Sequence, residues 1–366
     1  MVIAPSSNIF VTGATGFLGS HFAREWLRDG RGHVFALVRG KGSLTGASRF
    51  AAALDAAQRA NGTSDEVLPQ TVTPMDGDLT RPLAGITPEG VTQLRHAGVE
   101  TFWHFAADLR YDERDYEAVK RTNVEGTRQS LALAAAIGVK RFIYVSTAYV
   151  CGRQSGLIEE RLVPLDHEFS NGYEASKAEA EHLLVAECEH LQMPLTILRP
   201  SIVLGPRSTK SACGSDAGLF SLIRAAMWVR SSPSAQTASL RIPACPDAEI
   251  NFIPVDCVVT DMLALADSGW GDRQIYHLTS GTCLSVEQCW HVISDLVGMH
   301  HIALRPPDSF EPTNVERLIA RRIGFFLSYI NLDRTFQRTL SPAWGLNADD
   351  FSGYVRKGIE RIQSGS

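Results

Sequence analysis

A glycine-rich loop between an apolar run and an amphipathic run constrains the fold of this chain most strongly. Asn8–Thr12 has the character of a short buried strand, and Phe17–Asp29 has the spacing of a helix. The loop between them reads Thr-Gly-Ala-Thr-Gly-Phe-Leu-Gly, with glycines at 13, 16 and 19. In such a unit the first glycine permits a tight turn, the second admits a pyrophosphate to the backbone amides, and the third lets the helix pack closely. We therefore predict a dinucleotide site at the start of this helix.

Alternating strand-like and helix-like runs extend this unit as far as Pro200. The strand-like runs are His33–Val38, Thr71–Met75, Thr101–Phe105, Arg141–Ser146 and Leu195–Leu198. The helix-like runs are Ser48–Asn61, Thr87–His96, Tyr116–Ile137 and Tyr173–Leu191. Strands that alternate with helices of this length form βαβ units, so we predict an α/β fold with a doubly wound parallel sheet of Rossmann type.

The sequence changes character after Pro200. Residues 205–239 are rich in Ser, Gly and Thr, and strand-like runs return at Ile250–Val259 and Gln274–Leu278. We predict a dinucleotide-binding domain of residues 1–204, to which 249–281 return. Residues 205–248 and 282–366 would form a smaller interleaved lobe. We expect this lobe to bind the substrate and to cover the site as a lid.

Composition narrows the class of protein and its expected location. A formal net charge of −5 gives no general attraction to nucleic acid, and no apolar run is long enough for a transmembrane segment. The seven cysteines are scattered without Cys-x-x-Cys spacing, which favours buried free thiols over a metal site or a disulfide framework. Together with an N-terminus unlike a signal peptide, free thiols lead us to expect a cytoplasmic protein with no metal.

The residues after the second strand-like run indicate which dinucleotide binds. NAD sites place Asp or Glu there for the ribose 2′-hydroxyl, whereas NADP sites place Arg. This chain reads Val-Arg-Gly-Lys, so Arg39 could bind a 2′-phosphate and Lys41 would add positive charge. The alternative is that Arg39 is an ordinary solvated arginine at the protein surface. We predict NADPH.

A tyrosine and a lysine at helical spacing form a candidate catalytic pair. Tyr173 and Lys177 lie four residues apart and hence on one face of a helix. An adjacent cation would lower the pKa of the tyrosine, which could then exchange a proton with a carbonyl oxygen. The third member would come from Ser146 and Thr147, at the carboxyl end of a strand. By itself the pair is also typical of an ordinary surface helix; its position in the chain favours catalysis.

These motifs resemble the extended short-chain dehydrogenase/reductases over nearly the whole chain. The glycine loop, Asn-Val-Glu-Gly-Thr at 123–127 and Tyr-x-x-x-Lys are similar to that superfamily. His-Phe-Ala-Ala-Asp-Leu-Arg-Tyr-Asp-Glu from 104, Val-Ser-Thr-Ala-Tyr-Val from 145 and Arg-Pro-Ser-Ile-Val from 199 are similar to the fatty acyl-CoA reductase (male-sterility) and thioester reductase group. So are Ile-Pro-Val-Asp from 253 and His-Leu-Thr-Ser-Gly from 277.

The resemblance implies a role for each matching residue. Thr147 would bind the substrate carbonyl, Tyr173 would donate the proton and also contact the cofactor, and Lys177 would bind the nicotinamide ribose. Asn123 counts among the cofactor residues, although we favour a role in organising the helix and the neighbouring backbone. The implied cofactor residues are Gly13, Thr15, Gly16, Phe17, Leu18 and Gly19 at the pyrophosphate; Arg39 and Lys41 at the 2′-phosphate; Asp78 and Leu79 at the adenine; and Ala106, Ala107, Ser146, Pro200, Ile202 and Val203 along the cleft.

The function implied is reduction of an acyl thioester, carried by coenzyme A or an acyl-carrier protein, to an aldehyde; further reduction to an alcohol is left open. The absence of the long C-terminal region of many alcohol-forming reductases leaves the acyl substrate open. The main alternative is an extended short-chain dehydrogenase acting on a ketone, an alcohol or a nucleotide sugar; a non-catalytic sensor of the cofactor is a further one. The resemblance also implies a homodimer through the helices of Tyr116–Ile137 and Tyr173–Leu191.

Overall fold

The computed structural model describes residues 7–69, 71–212, 218–232, 239–269, 274–341 and 344–364. The expectation for the N-terminal segment and for Cys213 lies outside these residues. The six described cysteines are free thiols.

The strands are named in chain order. They are β1 (Asn8–Thr12), β2 (Val34–Val38), β3 (Val72–Asp76), β4 (Val99–His104), β5 (Arg141–Val145), β6 (Gly156–Ile158), β7 (Leu195–Pro200), β8 (Ile202–Leu204), β9 (Leu240–Pro243), β10 (Glu249–Ile250), β11 (Phe252–Pro254), β12 (Ile275–Leu278), β13 (Leu284–Ser285), β14 (Ile302–Arg305) and β15 (Arg334–Phe336).

The α-helices are named in the same way. They are α1 (Phe17–Arg28), α2 (Gly46–Asn61), α3 (Pro88–His96), α4 (Tyr116–Lys120), α5 (Gly126–Ile137), α6 (Gly172–His190), α7 (Leu219–Ser231), α8 (Val255–Asp267), α9 (Val286–Val297), α10 (Asn314–Arg322), α11 (Gly324–Ile330) and α12 (Ala348–Ser364). A π-helical segment, Arg121–Glu125, joins α4 to α5, and a 3₁₀ turn, Ala148–Cys151, follows β5.

The first of two compact units is built on a seven-stranded sheet in the order β3-β2-β1-β4-β5-β7-β12. Every neighbouring pair in it is parallel. From β1 the chain adds β2 and β3 on one side and then β4, β5, β7 and β12 on the other. Ligands bind at the carboxyl ends of strands where a sheet changes direction in this way. The doubly wound parallel sheet predicted from the sequence is therefore confirmed, and its change of direction lies between β1 and β4.

The core of this unit explains why β1, β4 and β5 lie side by side. Phe10, Phe102 and Phe142 are fully buried, one on each strand. Their ring centroids are 4.9 Å apart between the first two and 5.1 Å apart between the last two. Aromatic contacts of this kind add to the free energy gained by burying the rings. The three strands that carry the candidate site are thus held by one layer of aromatic side chains.

Within the residues that the structure describes, the second unit has its own core and four small strand pairs. The pairs β8–β11, β9–β14 and β6–β15 are parallel, and β10–β13 is antiparallel. Helices α7, α9, α10, α11 and α12 contribute to its core. Phe326 and Ile323, from an apolar run after two arginines, are buried in that core.

The division of the chain differs in detail from the boundaries expected from sequence. The first unit comprises residues 1–152, 160–200 and 258–278, and the second comprises 153–159, 201–257 and 279–366. Residues 202–204 and 252–254 belong to the second unit because β8 and β11 pair with each other instead of joining the large sheet. Residues 156–158 do so because β6 pairs with β15.

Across the part of the chain that the structure describes, no helix combines the length and the apolar character needed to cross a membrane.

Candidate active site

The glycine loop forms a cradle that leaves no room for side chains. Gly13 has a φ of +71°, and a Cβ there would lie 2.6 Å from the Ala106 backbone nitrogen. A Cβ at Gly19 would collide with the Gly13 carbonyl oxygen. Both glycines are therefore required by close approach of the backbone, as the sequence predicted.

The start of α1 is suited to an anionic group. Gly16 precedes the helix without any side-chain cap, and the first turn contains no acidic residue. Gly16 is exposed, while Thr15, Phe17 and Leu18 are half-buried around it. Amide groups at a helix start that lack a protein acceptor carry partial positive charge, which stabilises phosphate. This cradle fits the pyrophosphate of a dinucleotide.

A second group of polar side chains lies beyond β2. The Arg39 guanidinium is 69% exposed, and its Nη1 lies 3.2 Å from Asp78 Oδ2. Asp78 Oδ1 accepts hydrogen bonds from Thr80, and Lys41 lies in the turn that follows Arg39. The residues predicted for the 2′-phosphate and for the adenine are therefore brought together. Arg49 on α2, which sequence reasoning missed, donates to the Arg39 carbonyl oxygen.

A buried chain of hydrogen bonds runs beneath the loop and was also missed. Thr12 Oγ1 lies 2.6 Å from His104 Nδ1, and His104 Nε2 lies 3.0 Å from Thr127 Oγ1. Burial, with the nearby Lys177 charge, lowers the pKa of His104 to about 3, so the imidazole is neutral. Because Thr127 donates to the Asn123 carbonyl, it accepts from Nε2–H, and Nδ1 accepts from Thr12. The sequence feature that could have indicated this chain of hydrogen bonds is a histidine at the last position of a buried strand.

The hydroxyls of Ser146 and Thr147 follow β5. Thr147 Oγ1 accepts a 3.2 Å hydrogen bond from the Tyr149 amide and begins the 3₁₀ turn. Ser146 is buried, and its hydroxyl has no hydrogen-bond partner among the described residues. Both residues therefore lie at the carboxyl end of the sheet, where the sequence predicted them.

Lys177 is buried against the end of the same strand. Its Nζ donates a 2.7 Å hydrogen bond to the Val145 carbonyl oxygen and lies 4.1 Å from the centroid of the Tyr144 ring. Burial lowers the pKa of Lys177 to about 7, although the charge of Glu181 raises it in part. The Lys177 amine is thus only partly protonated at neutral pH.

Tyr173 lies one helical turn before Lys177, near the start of α6. Asn171 caps this helix by accepting a 2.9 Å hydrogen bond from the Glu174 amide. Burial, with the charge of Glu174, raises the pKa of Tyr173 above its usual range. The lowered pKa expected from the sequence is therefore wrong for this structure, because burial and the charge of Glu174 both disfavour the phenolate. A neutral phenol remains a proton donor.

Asn123 connects the loop after β4 to α6. Its Oδ1 accepts from the Asp108 amide at 2.7 Å, and its Nδ2 donates to the Asp108 carbonyl at 3.0 Å and to Ser176 Oγ at 2.9 Å. Ser176 Oγ in turn donates to the Tyr173 carbonyl. The side chain is thus engaged with the protein, which matches the organising role better than direct contact with a cofactor.

The remaining predicted residues lie on both units. Ala106 and Ala107 are half-buried after β4, with the Ala106 amide 3.4 Å from Thr12 Oγ1. Leu79 packs beside Gly126 at the start of α5. Pro200 ends β7 in the first unit, whereas Ile202 and Val203 lie on β8 in the second.

Comparison with known proteins identifies the family of this chain. The sequence profile of the family described as Male sterility protein matches residues 11–262. Nonribosomal peptide synthetase asaC of Aspergillus flavus is 26% identical over 304 residues, covering 79% of this chain and 28% of the synthetase. A Drosophila melanogaster protein provisionally named a fatty acyl-CoA reductase is 29% identical over 346 residues, covering 83% of this chain and 60% of that protein. The chain spans less than two thirds of either relative.

A solved structure shares the fold over nearly the full length. The crystal structure of the terminal R domain from the myxalamid PKS-NRPS biosynthetic pathway gives a TM-score of 0.77 at 24% identity. The match covers 98% of this chain and 92% of that one.

The chain belongs to the Male sterility protein family, within the extended short-chain dehydrogenase/reductase superfamily. The resemblance identified from the sequence motifs is therefore confirmed. The cofactor class that accompanies this membership is a nicotinamide dinucleotide, and the glycine cradle has the form that such a group requires.

Proposed function

We propose that this protein is an NADPH-dependent reductase of acyl thioesters carried by coenzyme A or an acyl-carrier protein, with an aldehyde and a free thiol as products. The observation that carries the proposal is the convergence of Thr147 and Lys177 at the end of β5. Lys177 Nζ bonds the Val145 carbonyl, two residues before Thr147, and Tyr173 precedes Lys177 by one helical turn.

The site residues can manage the proton and the developing charge. NADPH, when bound, supplies the hydride that adds to the thioester carbonyl carbon. Thr147 Oγ1 accepts from Tyr149, so its own hydrogen is left for the carbonyl oxygen of the substrate. The neutral phenol of Tyr173 donates a proton to the same oxygen as negative charge develops there. The resulting hemithioacetal loses the thiol to give the aldehyde.

The choice of NADPH rests on Arg39 and its surroundings. Arg39, Lys41 and Arg49 bring positive charge to the end of β2, and no acidic residue follows that strand directly. A 2′-phosphate would compete with Asp78 for the Arg39 guanidinium. The absence of an acid after β2 also counts against a nucleotide-sugar epimerase with tightly bound NAD. The proposal includes the remaining cofactor contacts given above, a homodimer through the helices of 116–137 and 173–191, and a cytoplasmic location.

The direct test is a spectrophotometric assay with purified protein. We expect long-chain acyl-CoA or acyl-carrier thioesters to oxidise NADPH, with equimolar release of thiol, and NADH to be a poorer reductant. Tyr173→Phe should lower kcat by roughly 10²–10⁴-fold while still binding NADPH, because it removes the proton donor alone.

Two results would overturn the proposal. Turnover of a ketone or a nucleotide sugar without turnover of any thioester would favour the alternative dehydrogenase. Full activity of Tyr173→Phe would remove the role assigned to the phenol.

A further inference from the structure

A fully buried ion pair lies beside the candidate catalytic lysine. Arg199 Nε and Nη2 donate to Glu181 Oε1 and Oε2 at 2.9 and 2.5 Å, with the side chains 0% and 1% exposed. Glu181 follows Lys177 by four residues on α6, which puts both on one face of the helix. Arg199 is the last residue but one of β7, the strand next to β5.

Stability alone gives no reason to keep charges at this place. A buried ion pair loses so much hydration that apolar residues of similar volume often stabilise a fold equally well or better. Around the pair, the strands and α6 contribute a core of apolar residues, with Leu184 one turn beyond Glu181 and Ile197 two residues before Arg199. Charges retained inside such a core, one helical turn from a buried lysine, suggest a role in the site.

Lys177 itself is held by groups that do not neutralise it. Its Nζ contacts the Val145 carbonyl and the face of the Tyr144 ring, both of which attract a cation without carrying a full charge. Glu181 is therefore the acidic residue whose charge acts on this ammonium. We propose that Glu181, held in place by Arg199, is a positioning residue that preserves the charge of Lys177 for the reaction.

The other titratable groups around Lys177 do not substitute for Glu181. His104 on β4, Tyr144 on β5 and Tyr173 on α6 are neutral near pH 7 because burial disfavours their charged forms. Glu174, three residues before Lys177, is a buried carboxylate that accepts hydrogen bonds from the Ser170 amide and from Asn171. His277 on β12 is the residue that pairs in register with Arg199 on the neighbouring strand β7. On the outer side of α6, Glu179 and Glu187 pair with Lys120 and Arg128 at the protein surface. This inference rests on the proposed function only in assigning the charge of Lys177 a use in thioester reduction.

The test measures the charge of Lys177 directly. The chain has six lysines, so [¹³C]lysine labelling gives a simple spectrum, and Lys177→Met identifies the Cε signal of Lys177. In Glu181→Gln we expect the pKa of Lys177 to fall by roughly one unit, since an opposite charge is removed. The charged fraction at pH 7 would then drop from about a half to about a tenth. Because no substrate or cofactor is needed, this readout is independent of the proposed reaction.

The activity profile supplies the second readout. If Lys177 acts as a cation, kcat falls as pH rises through its pKa, and in Glu181→Gln this loss should begin at lower pH. Glu187→Gln is the matched control, because Glu187 is an exposed carboxylate on the same helix that also pairs with an arginine, Arg128. It should leave both the titration and the pH profile unchanged.

A variant without an unpaired buried charge keeps the proposal testable. Glu181→Gln with Arg199→Met removes both charges at similar volume, so it should fold even if the single variant does not. The pKa of Lys177 should still fall, although by less than in Glu181→Gln: the Arg199 cation is lost as well, but Glu181 is the charge that raises this pKa. An unchanged Lys177 titration in this folded variant, or in Glu181→Gln, would overturn the proposal whatever the activity; inactivity of the wild-type protein on thioesters would instead overturn the proposed function alone.

Discussion

The position of Gly13 requires both a positive φ and room for a close backbone approach, and glycine is the residue type that meets both requirements. Its φ of +71° is a left-handed conformation, and its α-carbon faces the Ala106 backbone at a distance that leaves no space for a methyl group. Gly30, after α1, shares the positive φ of +64° but has open space where a Cβ would lie. The two glycines therefore separate the cost of backbone strain from the cost of collision.

We expect Gly30→Ala to lower the free energy of unfolding by about 1 kcal/mol, the cost of a left-handed alanine. Gly13→Ala should cost at least about 2–3 kcal/mol, because the loop must also move away from Ala106. It should weaken NADPH binding as well, whereas Gly30→Ala should not. Thermal denaturation and fluorescence titration measure the two effects; equal losses for both variants would refute the collision.

At the scale of elements, the π-helical segment between α4 and α5 organises the neighbourhood of Tyr173. Such a widened helical turn is rare and frequently occurs at functional sites. Here it carries Asn123, whose amide bonds the backbone of Asp108 on one side and Ser176 on the other. The segment thereby joins the loop after β4 to the first turns of α6.

Asn123→Ala should lower the free energy of unfolding by roughly 1–3 kcal/mol, because it removes the partner of the buried Ser176 hydroxyl and of the half-buried Asp108 backbone. Thr122→Ala is the matched control, since the Thr122 hydroxyl bonds Ala118 within its own helix. It should change stability by less than about 0.5 kcal/mol. Urea denaturation of both variants compares them; similar losses would argue against a linking role for Asn123.

At the scale of the whole molecule, the buried lysine couples stability to pH. The pKa of Lys177 is about 7 in the folded protein and 10.5 as the reference value for an exposed lysine. Between these values the unfolded chain binds a proton that the folded protein has released. Stability contributed by this group therefore rises with pH from about 7 upward, and the cost of burying the lysine is greatest below pH 7.

Lys177→Met removes this dependence, so the stability of the variant relative to the wild type should be greatest at pH 6.5 and should fall between pH 6.5 and pH 8.5. The expected change in the difference is about 1–2 kcal/mol, from the free energy equivalent of a pKa unit. Lys140→Met, at an exposed lysine, should show no such trend. Denaturant titrations across this range measure it, and a difference constant with pH would contradict a neutralised Lys177.

The parts of the site that could be predicted are those with local signals. The glycine cradle follows from spacing within one strand–loop–helix unit, and Tyr173 with Lys177 follows from the period of a single helix. The contact between Arg39 and Asp78 could be anticipated only from family resemblance. By contrast, the links from Thr12 to His104, from Asn123 to Ser176 and from Glu181 to Arg199 join residues far apart in sequence, and no local pattern indicates such partners.

The sequence by itself determined the parallel doubly wound sheet, the dinucleotide loop and the identity of the candidate catalytic residues, because periodicity and glycine spacing are local properties of the chain. The tertiary structure alone decided which strands leave the large sheet, since β6 and β8 are set by pairing with distant segments. It also decided the protonation of the site: burial raises the pKa of Tyr173 and lowers that of Lys177, and the depth of burial depends on everything packed around a residue.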